Sequence, residues 1–475
     1  MAATINVPTR PIPARVRPRR ISVWAIFPTL AMAGLVAAGA AIVAVCAQRP
    51  SDLVPPSMRG GMPGWLAGPL QGVLPDLSRS TATNHATFSL LVVAMFGFWL
   101  ILLVTYRALP LPIAVAGVVA LHAVLWLAPP LPLTDVFNYI NYARMGALHH
   151  LNPYAHTPAT GLEYAHDPAG IWSNWHHLKS PYGPLFTLMT YPLAYVSVPA
   201  AFWIFKTMVV AASLATVALA AWCADRLGRS PVLAIIAVGL GPVALVWGIG
   251  AQHNDSFMLL LIVAAIALWL ASHDDWAAAA LVGACAMKIS ALPLLPLFLL
   301  GCADRRAALR GAVLAALGLG LLSYLFFGTH LPDFATQAKM VSSLSVPNQL
   351  GFAIGTGGQT AGLRTLMQLI LLAAVLFACW RVWRGTSWLT AAGWVIIVAL
   401  LTTGWLLPWY VSWLAPLAVL APRRSRLLVP FVALSAFLLA TSIPSVGSEL
   451  KWLDYHPTNS AVERANQQYL FQHLR

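Results

Sequence analysis

Charge is scarce in this chain: only 9% of its 475 residues are charged, against 59% hydrophobic, whereas a soluble protein carries roughly a quarter of its residues as charges. That shortage excludes an ordinary water-soluble enzyme. Cysteine is sparse too. Cys46, Cys223, Cys285, Cys302 and Cys379 lie in or beside apolar stretches, with no pair at metal-ligand or redox spacing, and read as small core residues. No glycine-rich phosphate loop follows a strand pattern, and neither a nucleophile elbow nor a zincin helix occurs. Gly355-Thr356-Gly357-Gly358 lacks that context, so a soluble nucleotide-sugar enzyme is disfavoured.

What the chain has instead is long apolar runs. Several reach the roughly 17 to 25 residues a helix needs to cross about 30 Å of hydrocarbon. The expected fold is an all-α, polytopic transmembrane helical bundle of about 11 to 13 spans, with a long exterior loop. Crossings are expected near 22–46, 86–105, 110–129, 200–222, 231–250, 256–272, 311–328, 361–381, 387–406, 409–422 and 427–444. Residues 276–300 add two short crossings, because an unbroken span would hold Lys288 at its middle at a cost of roughly 2.5 to 3.5 kcal/mol. The stretch 185–199, short and interrupted by Pro192, is either a re-entrant piece or the start of a long tilted helix, and in either case 185–222 is counted as crossing once.

With the N-terminus inside, this arrangement makes Arg107, Arg226, Arg229, Arg305, Arg306, Arg381, Arg384, Arg423, Arg424 and Arg426 all cytoplasmic, as the positive-inside rule requires. The formal charge of +14 is then topological, and no nucleic-acid partner is expected, since no basic stripe with interleaved aromatics lies outside the spans. Three parts follow: a basic cytoplasmic tail over 1–21, the transmembrane domain over 22–445, and an exterior C-terminal tail over 446–475. The first apolar run is longer than a signal-peptide core, and Val45 before Cys46 spoils a lipoprotein cleavage signal, so it is read as a retained span. A multi-pass protein of the plasma membrane is implied.

The unusual polar residues then gather on the exterior side. Thr134 to Arg144 places an acid, two amides, two tyrosines and an arginine directly after an apolar span. On a helix, Asp135, Asn138, Tyr139 and Tyr142 share one face, while Val136, Phe137, Ile140 and Ala143 cover the other, facing lipid or packed spans. Asp135 is a candidate general base for a sugar hydroxyl, or else a helix cap following Thr134. His253-Asn254-Asp255 opens another span, as a head-group cluster or as ordinary N-terminal capping. Third and fourth metal ligands are not evident at local spacing. Lys288 is a partner for a lipid-linked phosphate or a snorkelling interfacial lysine. Arg144 is a further phosphate candidate, pointing away from Asp135. Trp172, Trp175, His176, His177 and Lys179 lie between two proline turns, and Trp405, Trp409, Tyr410 and Trp413 form a second aromatic run; both suit sugar binding or interface anchoring.

Taken together, Asp135-Val136-Phe137-Asn138-Tyr139, Asn152-Pro153-Tyr154, Ser180-Pro181-Tyr182-Gly183-Pro184, His253-Asn254-Asp255, Lys288 with its following prolines, and Pro408-Trp409-Tyr410 with Trp413 resemble the GT-C glycosyltransferases. The likeness is to the polyprenol-phosphomannose-dependent mannosyltransferases of actinobacterial envelopes. It extends over about residues 130 to 420. The resemblance implies transfer of mannose by inversion from a polyprenyl phosphate donor to a glycolipid or polysaccharide acceptor, with Asp135 as base and with no cofactor or obligatory metal. It further implies donor or acceptor binding by Asn138, Tyr139, Tyr142, Arg144, Tyr182, His253, Asn254, Asp255, Lys288, Trp409 and Tyr410. In many members of that superfamily the catalytic loop follows the first span, whereas Asp135 follows the third expected here. Competing readings are a transporter or flippase of a lipid-linked sugar, a GT-C enzyme using another polyprenyl sugar such as glucose or arabinose, and a noncatalytic scaffold.

Overall fold

A computed structural model describes residues 25–48, 63–73, 81–131, 133–160, 166–444, 446 and 456–474. The basic N-terminal run lies outside them. The described residues form helices and no strands. The apolar runs become α1 (Ile26–Cys46), α2 (Thr81–Thr105) and α3 (Leu111–Trp126), followed by the polar helix α4 (Asp135–Ala147), the short α5 (Pro184–Thr190), α6 (Val198–Arg226) and α7 (Pro231–Gly239). After these come α8 (Asp255–Leu270), α9 (Asp274–Met287), α10 (Leu294–Gly301), α11 (Arg305–Phe327), α12 (Val346–Ala353), α13 (Ala361–Trp383), α14 (Trp388–Thr402), α15 (Ala415–Leu420), α16 (Leu428–Ser442) and α17 (Ala461–Phe471).

Five helices, α1, the Ala82–Thr105 part of α2, α6, α11 and α13, are long and apolar enough to cross a membrane, and shorter apolar helices pack among them. Two long ones stand at the edge of the bundle. Leu314, Leu317, Leu321 and Leu325 of α11, with Leu369, Leu372, Leu376 and Phe377 of α13, are all exposed. Apolar side chains in such rows need hydrocarbon around them, which marks a helical membrane protein.

Local sequence explains the breaks that matter. The stretch 185–222 is not one helix. A 3-10 turn at Tyr191–Tyr195 ends the α5 segment, and the Ser197 hydroxyl accepts from the Ala200 amide to start α6, with proline in its first turn. The 184–195 piece packs on α4 instead of belonging to a span. At Lys288 the backbone is extended, so α9 stops there, and α10 begins only after a 3-10 turn and Pro293. The expected run 231–250 is likewise broken: α7 ends at Gly239, and a π-helical turn covers Ala244–Ile249. Residues 408–413 form a 3-10 helix ahead of α15.

α4 does not lie on lipid. Val136, Phe137, Ile140 and Ala143 are fully buried against protein, and Asn138, Tyr139 and Tyr142 are buried as well. The helix is a covered wedge beside the bundle, with its polar face turned to the loops that follow it.

Candidate active site

Thr134 makes no side-chain cap for α4, and the Asp135 carboxylate turns away from the backbone. One oxygen accepts from Trp175 Nε1 at 3.0 Å, and the other lies 3.4 Å from His253 Nδ1. One turn along, Asn138 donates to the Trp175 carbonyl at 3.1 Å and accepts from the Ser173 hydroxyl at 2.7 Å. Asn138 therefore fixes the segment that carries the indole onto Asp135. Tyr142 does the same further along, donating to the Leu178 carbonyl at 2.8 Å.

Asp255 also opens a helix without capping duties, since Asn254 makes no side-chain cap. Its carboxylate accepts from Lys288 Nζ at 2.9 and 2.8 Å, from Trp409 Nε1 at 3.0 Å and from Trp413 Nε1 at 2.5 Å. The 3-10 helix aligns side chains three apart, which lets Tyr410 stack on Trp413 at 4.2 Å. The Lys288 ammonium sits over both rings, at 4.6 and 5.3 Å, the geometry of a cation held by aromatic faces. Lys288 is thus paired and covered, not snorkelling.

Two irregular turns bring the halves together. His253 follows the π-helical turn and Gln252, whose φ of +60° is left-handed; backbone of this kind is costly and concentrates at functional sites. Its ring then stacks on Trp409, centroids 3.5 Å apart. The Ser180–Pro184 turn docks on the end of α9, where the Gly183 amide donates to the Met287 carbonyl at 3.2 Å. A Cβ at Gly183 would collide with the Ala286 carbonyl, so only glycine permits that approach.

Asp135 faces an open cleft lined by Asn138, Tyr142, Trp175 and Tyr182 and by Gln337, Met340, Trp405 and Trp409. Burial pushes its carboxyl up to about 6, against the Trp175 hydrogen bond and the Lys288 charge, which favour ionisation, while Asp255 adds to the rise. Burial, helped by the Lys288 charge, holds His253 well below its ordinary value and keeps it neutral. A carboxylate poised near neutrality at the wall of an aromatic cleft can take a proton from a bound hydroxyl. Among the described residues no three His, Cys, Asp or Glu side chains cluster in a way that could hold a metal.

Residues 57–304 match the N-terminal domain of the Alpha-(1->6)-mannopyranosyltransferase family, a match that spans just over half the chain, and residues 343–460 match the MptB C-terminal domain. The chain belongs to this family. It is 28% identical over 378 residues to Alpha-(1->6)-mannopyranosyltransferase A of Mycobacterium tuberculosis, covering 70% of this chain and 71% of that protein. No solved structure matches it. The protein is accordingly a membrane-embedded mannosyltransferase that moves mannose from a sugar donor to a glycan acceptor.

Within this mannosyltransferase, Asp135, Asn138, Tyr142, Tyr182 and Trp409 line the cleft, and His253, Asp255, Lys288 and Tyr410 support it from behind. Asn254 is buried beside them. Two further nominated residues also lie outside the cleft lining. Tyr139 packs into an aromatic cluster with Tyr182, Phe186 and Phe205. Arg144 pairs with Asp167 at 2.7 Å and donates to the Ala194 carbonyl at 3.1 Å, tying α4 to the 166–196 segment. Sequence reasoning noted Trp175 and Trp413 only as sugar faces or anchors and gave no sign that they donate to the two acids. Gln337 and Met340 carried no signal at all.

Proposed function

We propose that the protein transfers mannose from a polyprenyl phosphate donor to the growing end of an envelope glycan, forming an α-(1→6) linkage by inversion. An acceptor hydroxyl attacks the anomeric carbon of a β-linked donor as its proton passes to Asp135. The bond from that carbon to the phosphate oxygen breaks, and polyprenyl phosphate leaves. Lys288 meets the leaving phosphate; Trp409 and Trp413 keep Asp255 hydrogen-bonded as the ammonium turns outward. Stabilising that charge in a site with little water contributes as much as the base.

The observation that carries this reading is the Asp135 carboxylate, raised to about 6, set at the wall of the aromatic cleft. Family membership supports mannose as the sugar, and the name of the mycobacterial relative supports the linkage. The arginine pattern supports a cytoplasmic N-terminus and an exterior site in the plasma membrane. A single transmembrane domain over 22–445 is supported by the bonds from Trp409 and Trp413 to Asp255, which join the two matched regions.

The test is a donor screen with the purified protein, scored by product mass and linkage analysis. Mannose transfer from the polyprenyl phosphate sugar in α-(1→6) linkage is the expected result. Transfer only from a nucleotide sugar, or donor movement across vesicles with no new glycosidic bond, would sink the proposal.

A further inference from the structure

The C-terminal helix α17 is amphipathic and carries Glu463, which is completely buried. An ionisable side chain in that position needs its oxygens satisfied. Three neutral groups do so: the Ser343 hydroxyl donates at 2.9 Å, Gln467 Nε2 at 2.7 Å and Asn348 Nδ2 at 2.9 Å. Asn348 in turn accepts from the Gln359 amide at 2.7 Å, and Asn466 donates to the Gln359 carbonyl at 3.2 Å. Gln467 also reaches Ser343 at 2.9 Å, and Ser460, the cap of α17, donates to the Gly357 carbonyl. One carboxylate therefore gathers the loop 343–359 onto the helix.

That loop is joined to the cleft. The Ser342 amide donates to the Gly404 carbonyl at 2.8 Å, and its hydroxyl to the Leu406 carbonyl at 2.9 Å. These bonds flank Trp405, which with Met340 lines the same cleft as Asp135. Trp405 meets Trp175 edge-on at 6.1 Å, and Trp175 donates to Asp135. Among the described residues, α17 makes no hydrogen bond to Asp255 or Lys288. In the function proposed above, the donor's phosphate meets Lys288. The wall set by α17 is then left for the acceptor.

We propose that α17 is a latch on the acceptor side of the cleft, with Glu463 as its positioning residue. The assignment of sides rests on the function proposed above. Full-length protein would be assayed with polyprenyl phosphate mannose as donor and α-(1→6)-linked mannotriose as acceptor, comparing wild type with Glu463→Gln and Asn348→Asp. Each change sets like groups against each other in the hub without touching the cleft. Acceptor KM is expected to rise about tenfold, the equivalent of about one charge-assisted hydrogen bond, with donor KM and kcat moving less than about twofold. In parallel, hydrogen exchange on wild type should show mannotriose protecting both 341–360 and 461–471, a readout that needs no variant to fold. An unchanged acceptor KM, an equal rise in both KM values, or no protection of 461–471 overturns the latch. Absence of transfer by wild type overturns the proposed function instead, and the exchange result then decides the latch alone.

Discussion

The imidazole of His253 lies flat on the indole of Trp409, centroids 3.5 Å apart and planes within 9°. The stack joins the two acids of the site. Trp409 donates to Asp255, while His253 Nδ1 faces Asp135. Because burial keeps the imidazole neutral, it places no cation beside Asp135. The positive charge that acts there comes from Lys288, which the Asp255 carboxylate largely balances. Asp135 is thereby left basic enough to accept a proton near neutral pH.

The Asp135→Asn substitution is expected to lower kcat by at least about 100-fold, the lower range for loss of a general base. The same change should stabilise the fold at neutral pH. The folded carboxyl titrates at about 6 against an ordinary 3.8, so its contribution to stability is full below 3.8 and is lost as pH rises through 6. Above that range the charged form is disfavoured by roughly 2 to 3 kcal/mol. Thermal unfolding in detergent should therefore show the Asp135→Asn variant melting higher than wild type at about pH 7.5, with the gap closing by about pH 4. A lower melting point together with near-normal turnover would remove Asp135 from the mechanism.

The acid limb of the kcat/KM profile should have its midpoint near 6, where Asp135 gains its proton. Trp175 donates to this carboxylate and favours its charged form. The Trp175→Phe substitution removes the donor while keeping an aromatic ring, so the limb should move to higher pH, whatever happens to the plateau. At about pH 6.5 the fraction of plateau activity is expected to fall about threefold. A limb that stays in place would mean that another group controls it.

Parts of this arrangement could be read directly from the residues, and the reasons differ by element. The break at Lys288 was legible because a lysine cannot sit cheaply in mid-span and two prolines follow it. The separate start of α6 was legible only in part: a span was expected from 200, but Ser197-Val198-Pro199 marks a helix N-terminus only weakly inside an apolar run, which left 185–199 open as a re-entrant piece or as part of the same helix. Periodicity put Asp135, Asn138, Tyr139 and Tyr142 on one face of α4, but it says nothing of what covers that face. The structure supplies Phe186 and Phe205 against Tyr139, and irregular backbone around Trp175 against Asn138. A bond between residues 40 apart in sequence, as between Trp175 and Asp135, leaves no periodic trace.

Arg144 separates a structural role from a phosphate-binding one. It pairs with Asp167, a buried carboxylate that also accepts from His149 at 2.7 Å and from the Ala169 amide. Burial opposes ionisation of Asp167, but His149, the Ala169 amide and Arg144 together hold its carboxyl below the usual range. The pair's contribution is thus present above the ordinary 3.8 and is lost as pH falls through the lower folded value. The Arg144→Met substitution should cost about 1 to 3 kcal/mol of stability at about pH 7, measured by thermal melting, with donor KM changed less than about threefold. A rise of about tenfold or more in donor KM at unchanged stability would return Arg144 to the phosphate.

Lys288 and Asp255 can be tested as a pair, since each is a mostly buried charge facing the other. Lys288→Met leaves the carboxylate with two indoles and no counter-charge; Asp255→Asn leaves the ammonium with aromatic faces alone. Either single change should cost roughly 3 to 5 kcal/mol, and the double change clearly less than their sum, because it removes the uncompensated charge. Activity then divides the roles. If Lys288 serves only to match Asp255, the double variant recovers turnover along with its melting temperature. If the ammonium turns to the leaving phosphate, stability returns and kcat does not, and the remaining deficit appears in the chemical step rather than in acceptor KM. The second pattern is expected, because the Trp409 and Trp413 donors keep both Asp255 oxygens hydrogen-bonded when the ammonium turns to the phosphate.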